Sequence, residues 1–366
     1  MPNDVVIIGD GLTAKTLALT LMKLGKNPTL IHLPKKNSQL PLALTLSLAS
    51  KNVLTNLDLN IEPLCAPITS MVISTSKKNA TPWHIKPPIQ QPIMGYVIDQ
   101  SALYELVSQA THNLHHIEAK RITFSKTTSF NIQIDDRTIN APELYITQSI
   151  ISPHITKPEQ IIDHHQYGHI AFIKHQHPHH TMAYQCFSTH GPIATLPLNK
   201  PNESHLIASL NHHTPFNMNT IQDHIKTLGD IELQHPIASI PLTTSLRTHY
   251  QYEGAILIGD INHRIHPLAG QGFNLTLLDI AALHQQLTDY NHLSFSQHAI
   301  AIERQRKPHN VFMAHLCHQL LKKYTNHANI MTFGHHFLNQ CTWINHQIIN
   351  EASGLQHDYL LNHSVK

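Results

Sequence analysis

Residues 4–33 read DVVIIGDGLTAKTLALTLMKLGKNPTLIHL. The run Val5–Ile8 is short, apolar and β-branched and ends in glycine, which predicts a buried parallel strand. Leu17, Leu21 and Leu24 then recur at helical spacing, and Gly25 supplies a stop signal. NPTLIHL predicts a second strand. Strand, helix and strand within some thirty residues open a doubly wound α/β sheet.

The turn between the first strand and the helix has the spacing Gly9-x-Gly11-x-x-Ala14. Gly9 permits the tight turn, Gly11 lets backbone approach a pyrophosphate, and Ala14 lets the helix pack close to the strand. The free N–H groups of the helix start would face the phosphates. Two residues depart from the usual pattern. Asp10 puts a negative charge inside the loop. His32 ends the second strand, where an acid normally grips the ribose hydroxyls with two oxygens. A tight strand–helix turn that binds no nucleotide is the alternative.

The chain has 366 residues, 41% apolar and 13% charged, with a net charge of +2. This is globular composition long enough for two domains, and it carries no basic excess pointing to nucleic acid. Its 34 histidines are spread along the chain, which reads as a compositional bias for polar surface positions rather than metal storage. HQHPHH at 175–180 is the densest group and reads as a polar hairpin. Cys65, Cys186, Cys317 and Cys341 form no C-x-x-C and read as reduced, buried thiols. Neither a secretory signal nor a membrane-spanning helix is expected. Residues 60–93 read as Pro-rich and irregular, 121–148 and 168–210 as strand-rich, 253–260 as a buried strand, and the chain from Leu275 onward as mostly helical.

A second glycine turn lies at 259–279, GDINHRIHPLAGQGFNLTLLD. A metal reading would use His263, His266 and Asp260, but leaves the Pro-x-Ala-Gly-Gln-Gly-x-Asn run unexplained. A P-loop reading lacks Gly-Lys-Ser/Thr. The segment resembles the second fingerprint of the FAD-dependent aromatic-ring monooxygenases, Gly-Asp-Ala-Ala-His-x-x-His-Pro-x-Ala-Gly-Gln-Gly-x-Asn-Leu-Gly. Ile261 and Asn262 replace the two alanines and Thr276 the last glycine. GYVIDQSAL, AYQCFSTHGPIATLPL, ERQRKPHN and EASGL are similar to segments of the ubiquinone-biosynthesis hydroxylase branch.

The resemblance implies an α/β fold. It is a Rossmann-like FAD domain of the para-hydroxybenzoate-hydroxylase type (1–60, 94–155 and 245–310) with an inserted β-rich substrate domain (61–93 and 156–244) and a C-terminal helical region (311–366). It implies cofactor contacts from Gly9, Gly11, Ala14 and His32 at one end. At the other they come from Gly259, Asp260, Pro267, Ala269, Gly270, Gln271, Gly272, Phe273 and Asn274. Asp260 would accept from the ribityl chain, and the turn from Pro267 to Gly272 would bring backbone to the flavin ring. The dipole of the following helix would steady negative charge on reduced flavin. His263 and His266 become packing or hydrogen-bonding elements of the turn. The family carries an arginine in the segment after the second strand, near Leu42, an asparagine where Gln100 stands and Asp-Gly where Gln148-Ser149 stand.

The implied activity is hydroxylation of a polyprenylated phenol on the way to ubiquinone, with FAD, NAD(P)H as electron donor and a flavin hydroperoxide as oxygen donor. No side chain is singled out as catalytic acid or base. A greasy substrate implies transient membrane contact, partners in a ubiquinone-synthesis complex, and a cytoplasmic place at the inner membrane face. The alternative is a non-catalytic flavin-binding or scaffold subunit of such a complex. ERQRKPHN by itself reads as a solvated helix face.

Overall fold

The computed structural model describes residues 4–34, 42–76, 80–148, 160–235, 237–326, 335, 338–339 and 342–354. Ser149, Cys341, His336 and the leucine of EASGL lie outside them.

One sheet carries both glycine turns. Its strands are β1 (Val5–Ile8), β2 (Pro28–His32), β8 (His115–Glu118), β12 (Glu143–Ile146), β19 (Gln251–Tyr252) and β20 (Ala255–Leu257), in the order β19-β20-β12-β1-β2-β8. All neighbours are parallel except the edge pair β19/β20. Taken along the chain, the parallel strands lie in the order 3-2-1-4-5, the order of a dinucleotide-binding half-fold. Helix α1 (Leu12–Lys23) follows β1. It ends in a Schellman closure: Lys26 N–H donates to the Leu21 carbonyl and Gly25 N–H to that of Met22, with Gly25 at φ +75°.

Both faces of this sheet are covered, which explains why β1 reads apolar without alternation. On one face Val5, Ile7 and Ile256 pack with Leu17 and Leu21 of α1, Ile280 and Leu283 of a later helix, and Ile302. On the other, Val6, Ile8 and Ile31 pack against Ile122, Phe130, Ile132 and Ile134. Those last four belong to a three-stranded antiparallel sheet, β9 (Ile122–Lys126), β10 (Phe130–Ile134) and β11 (Arg137–Ala141).

Between β2 and β8 the chain builds β3 (Ala43–Leu46), helix α2 (Leu48–Asn56), β4 (Cys65–Ile68), β7 (Gly95–Asp99) and helix α3 (Gln100–Ala110). β3, β7 and β4 form a small antiparallel sheet. Ser47 caps α2 by accepting from Ser50 N–H, and Asp99 caps α3 by accepting from Ser101 and Ala102.

The large sheet has nine strands: β5 (Ser70–Thr75), β6 (Trp83–Ile85), β13 (Gln160–His175), β14 (Met182–Ser188), β15 (Gly191–Pro197), β16 (Glu203–Asn211), β17 (Ile231–Leu233), β18 (Ala238–Leu246) and β21 (His263–Arg264). The Pro-rich segment 60–93 is therefore not irregular: β4, β5 and β6 lie within it. β5 is paired in parallel with β14, more than a hundred residues later. Helix α4 (Met218–His224) covers part of this sheet through Ile221, against Ile193, Leu206 and Ala208. Helices α5 (Gly272–Asp289), α6 (Phe295–Asn326, with Pro308 inside) and α7 (Thr342–Ser353) follow. No helix of the described residues is long and apolar enough to cross a membrane.

Two sequence expectations need correction. The histidines are not all surface filler: most described ones are exposed or half-buried, but His175, His179, His205, His263, His266, His298 and His335 are buried. In HQHPHH, the His175 ring bonds the His177 carbonyl at 2.7 Å and Ser204 Oγ at 2.9 Å. His179 Nε2 donates to the Leu198 and Lys200 carbonyls. Both rings staple a turn from inside. Nor is ERQRKPHN solvated throughout: Arg304 and Pro308 are exposed, but Arg306 is 1% exposed and Asn310 is buried.

Candidate flavin site

The first glycine turn fits its spacing for steric reasons. Gly9 has φ +144°, and a Cβ there would stand 2.1 Å from Thr147 Oγ1. Thr147 is fixed by its own N–H and hydroxyl on the Ile8 carbonyl, so no larger residue fits. Ala14 is fully buried against the same glycine. Gly11 differs: it is the N-cap of α1, no side chain caps the helix, and a Cβ on it would meet nothing within 4 Å. The helix start thus presents free N–H groups to open space, which suits a phosphate. His32 is half-buried at the end of β2, in register with the exposed Glu118 at the end of β8. Leu42 makes its backbone contact through its carbonyl, which accepts from Gln100 N–H.

Asp10 does not hang free in the loop. Lys15 Nζ lies 3.0 Å from its Oδ1, and Tyr104 of α3 donates its hydroxyl to Oδ2 at 3.1 Å. Burial and the Asp10 charge push the Tyr104 phenol up from its ordinary value.

The second turn meets the first. Gly259, at φ +87°, ends β20 so close to α1 that a Cβ would be 2.9 Å from Thr13 Cγ2. Asp260 follows, exposed at the rim. Pro267–Ala269 form one 3-10 turn, closed by Gly270 in the left-handed region at φ +60°. A Cβ on Gly270 would press on Thr45 Oγ1 of β3 at 2.6 Å. Gln271 then begins α5 without a side-chain cap, and a Cβ on Gly272 would again meet nothing within 4 Å. Phe273 packs half-buried against the cluster of α2 and β7.

Asn274 has a role the sequence did not disclose. It is 1% exposed, accepts from Ser47 N–H at 3.0 Å, and donates to the Gly270 carbonyl and Gln271 Oε1 at 3.3 Å each. One amide ties the glycine turn to the cap of α2.

The two histidines of the motif go to different partners, so they are not a metal pair. His266 Nδ1 accepts from Leu268 N–H at 3.1 Å, which leaves the proton on Nε2, facing Gln166 Oε1 at 3.0 Å. Burial, with His164 and His318 nearby, lowers its pKa to about 3. His266 is therefore a neutral brace. His263, fully buried, bonds Asp279 Oδ2 through Nε2. Arg306 Nε donates to Asp279 Oδ1 at 2.9 Å, and Asn310 donates to Asp279 and to the Tyr250 hydroxyl at 3.1 Å each. Burial raises the Asp279 carboxyl, but His263 and Arg306 outweigh it and hold the pKa at about 2. This network locks α5 to α6 beneath the turn. The i, i+4 pair Arg306/Asn310 was its one sequence signal.

Beside His266, a cleft of about 370 Å³ is lined by Asp163, His164, Gln166, Tyr167, Asn211 and His212. On the other side, Thr45 of β3 touches the Gly270 turn, and Ala43, on the same face of that strand, belongs to an apolar layer with Ile68, Val97 and Ala183. Half-buried Met71, Met94, Phe172, Leu196 and Leu198 line that layer.

The family model described as squalene epoxidase matches residues 165–351, just over half of the chain. The uncharacterized protein slr1300 of Synechocystis is 24% identical over 337 residues, covering 84% of this chain and 81% of that protein. Ubiquinone hydroxylase UbiL of Rhodospirillum rubrum is 27% identical over 176 residues, 44% of this chain and 41% of UbiL, so the match spans less than half of that relative. Among solved structures, HpxO of Klebsiella pneumoniae, complexed with FAD and uric acid, superposes with a TM-score of 0.75 at 12% identity, over 98% of this chain and 96% of HpxO. The fold is that of the FAD-dependent aromatic hydroxylases. The chain belongs to the squalene epoxidase family. It is an FAD-dependent, oxygen-using oxidoreductase, with NAD(P)H as the electron donor typical of its kind.

Proposed function

We propose that this member of the squalene epoxidase family hydroxylates the ring of a polyprenylated phenol in ubiquinone biosynthesis. The observation that carries the reading is the meeting of two uncapped helix starts: α1 at Gly11 and α5 at Gly272 both face open space, and Thr13 against Gly259 sets them side by side. That arrangement suits a long two-ended cofactor. Gly9, Gly11, Ala14 and His32 would hold the adenosine-pyrophosphate end. Gly259, Asp260, Pro267, Ala269, Gly270, Gln271, Gly272, Phe273 and Asn274 would hold the ribityl and ring end. When bound, FAD supplies the transfer of electrons and the use of oxygen.

The protein's own part is positioning and electrostatics. Asp260 would accept from ribityl hydroxyls, and the α5 N-terminus would favour negative charge on the ring. His266, neutral and doubly bonded, would hold the turn without titrating. The apolar layer along β3 supports a substrate with a greasy tail and would keep water from the ring face. UbiL's name as a ubiquinone hydroxylase supports the same substrate class.

Membrane contact would follow from such a substrate. Ile300, Arg304, Pro308, Phe312 and Leu316 are spaced i, i+4 along the exposed side of α6, and Phe312 is 57% exposed. Lys322 and Lys323 extend that side. Apolar residues flanked by cations suit an anionic lipid surface.

The test is the purified protein reconstituted with FAD. NAD(P)H oxidation should rise severalfold with a prenylated phenol, and a hydroxylated ring should be recovered from the mixture. A flavin-loaded protein stimulated by short soluble phenols but indifferent to prenylated ones would refute the substrate assignment.

A further inference from the structure

The glycine turn of β1–α1 contains an acid, although the ligand read for it brings a pyrophosphate with negative charges of its own. The structure answers that conflict within the same turn. Lys15 lies one helical turn past Gly11, its N–H bonded to the Gly11 carbonyl at 3.1 Å. It is only 5% exposed, and its ammonium sits 3.0 Å from Asp10 and 5.3 Å from the centre of the Tyr104 ring. A cation in the first turn of a helix opposes the dipole, and lysine is almost never buried unless it is paired.

We propose that Lys15 is the cation of the pyrophosphate end of this site. By pairing with Asp10 it removes the loop's net negative charge, so that a pyrophosphate-bearing dinucleotide can rest on the Gly11 turn. Asp10 and Tyr104 hold the ammonium where it serves the loop. Lys15 is a positioning residue for charge and takes no part in oxygen chemistry. The inference rests on the flavin reading above.

The experiment measures FAD affinity by flavin fluorescence on the deflavinated full chain, with ADP as competitor and riboflavin, which has no pyrophosphate, as control. K15M should weaken FAD and ADP at least about tenfold, because Asp10 then faces the pyrophosphate without its partner cation. K15R should stay within about threefold of wild type, since it keeps the charge. D10N should bind as tightly as wild type or tighter, and D10N/K15M should recover much of the loss of K15M. Riboflavin affinity should not move in any variant. Equal weakening by D10N and K15M, or equal weakening by K15M and K15R, would overturn the inference, since a structural role predicts either. FAD binding indifferent to K15M overturns it alone, whereas a wild type that binds no FAD fails the flavin reading as well. Should K15M not fold, as judged by its melting curve, D10N and K15R still test the sign of the effect.

Discussion

The two glycine turns have the same outline and are held by different forces. The β1–α1 turn depends on sterics and charge: Gly9 is wedged under Thr147, and an Asp10–Lys15–Tyr104 group closes the loop. The β20–α5 turn is held by long-range, buried polar contacts: Asn274 to Ser47, His266 to Gln166, and His263 to Asp279 and Arg306. The ion pair of the first joins neighbours in the chain, Asp10 and Lys15, while Thr147 and Tyr104 reach it from later segments. The second is in place only when distant segments have already packed around it.

Acid should separate them most strongly. Eight described histidines, His164, His169, His175, His179, His224, His266, His298 and His335, are held below their ordinary pKa by burial. The unfolded chain takes up protons below about pH 6.5 while these rings stay neutral, so stability is full above that value and falls as pH drops toward the folded values. His164 and His266, at about 4 and about 3, together should lose about 2–4 kcal/mol by pH 5, the half-buried His164 counting for less because solvent screens it. Asp279 contributes only later, as pH falls from its ordinary value toward about 2. Urea melts between pH 7.5 and 5 check this. A flat profile would mean that the second turn does not depend on its neutral rings.

R306M should follow, at about 3–5 kcal/mol, because it leaves Asp279 buried without its guanidinium. Chemical denaturation reads that loss, and D279L/R306M should lose less than R306M alone. G270A comes next, at about 2 kcal/mol from the left-handed backbone and the contact with Thr45. T45A should return the contact part but not the backbone part, which thermal melts of the single and double variants resolve. The smallest effect on folding belongs to G11A, less than about 1 kcal/mol at an N-cap with an ordinary φ. Because its methyl enters the open space at the helix start, flavin affinity should still drop. If G11A bound FAD normally, the open space above α1 would not be the phosphate seat.

The sequence made the outline legible where partners are near in the chain. The strand–turn–helix around Gly9 and Gly11, the buried parallel character of β1 and the glycine turn ahead of α5 could all be read from spacing. The reason is that turn geometry and helical period are properties of a few consecutive residues. What stayed hidden depends on distance. His266 meets a glutamine 100 positions earlier, and β5 finds its parallel partner more than a hundred positions later. Nothing local in MVIST or HPLAG reports either contact. Arg306 looked like any surface arginine because its burial is decided by Asp279 and Tyr250, which other segments bring to it.

The pairing of β12 with β20 has a consequence during synthesis. Ile146 and its partner Leu257 are 111 positions apart, and the whole β13–β18 region is made between them. At roughly 5–20 residues per second, β12 would wait on the order of 6–20 s as an open, apolar sheet edge before its neighbour leaves the ribosome. Slow stretches of the message between those codons would prolong the exposure. Expression temperature and chaperone supply, more than the strength of any finished contact, are then expected to decide how much of this protein reaches its folded form.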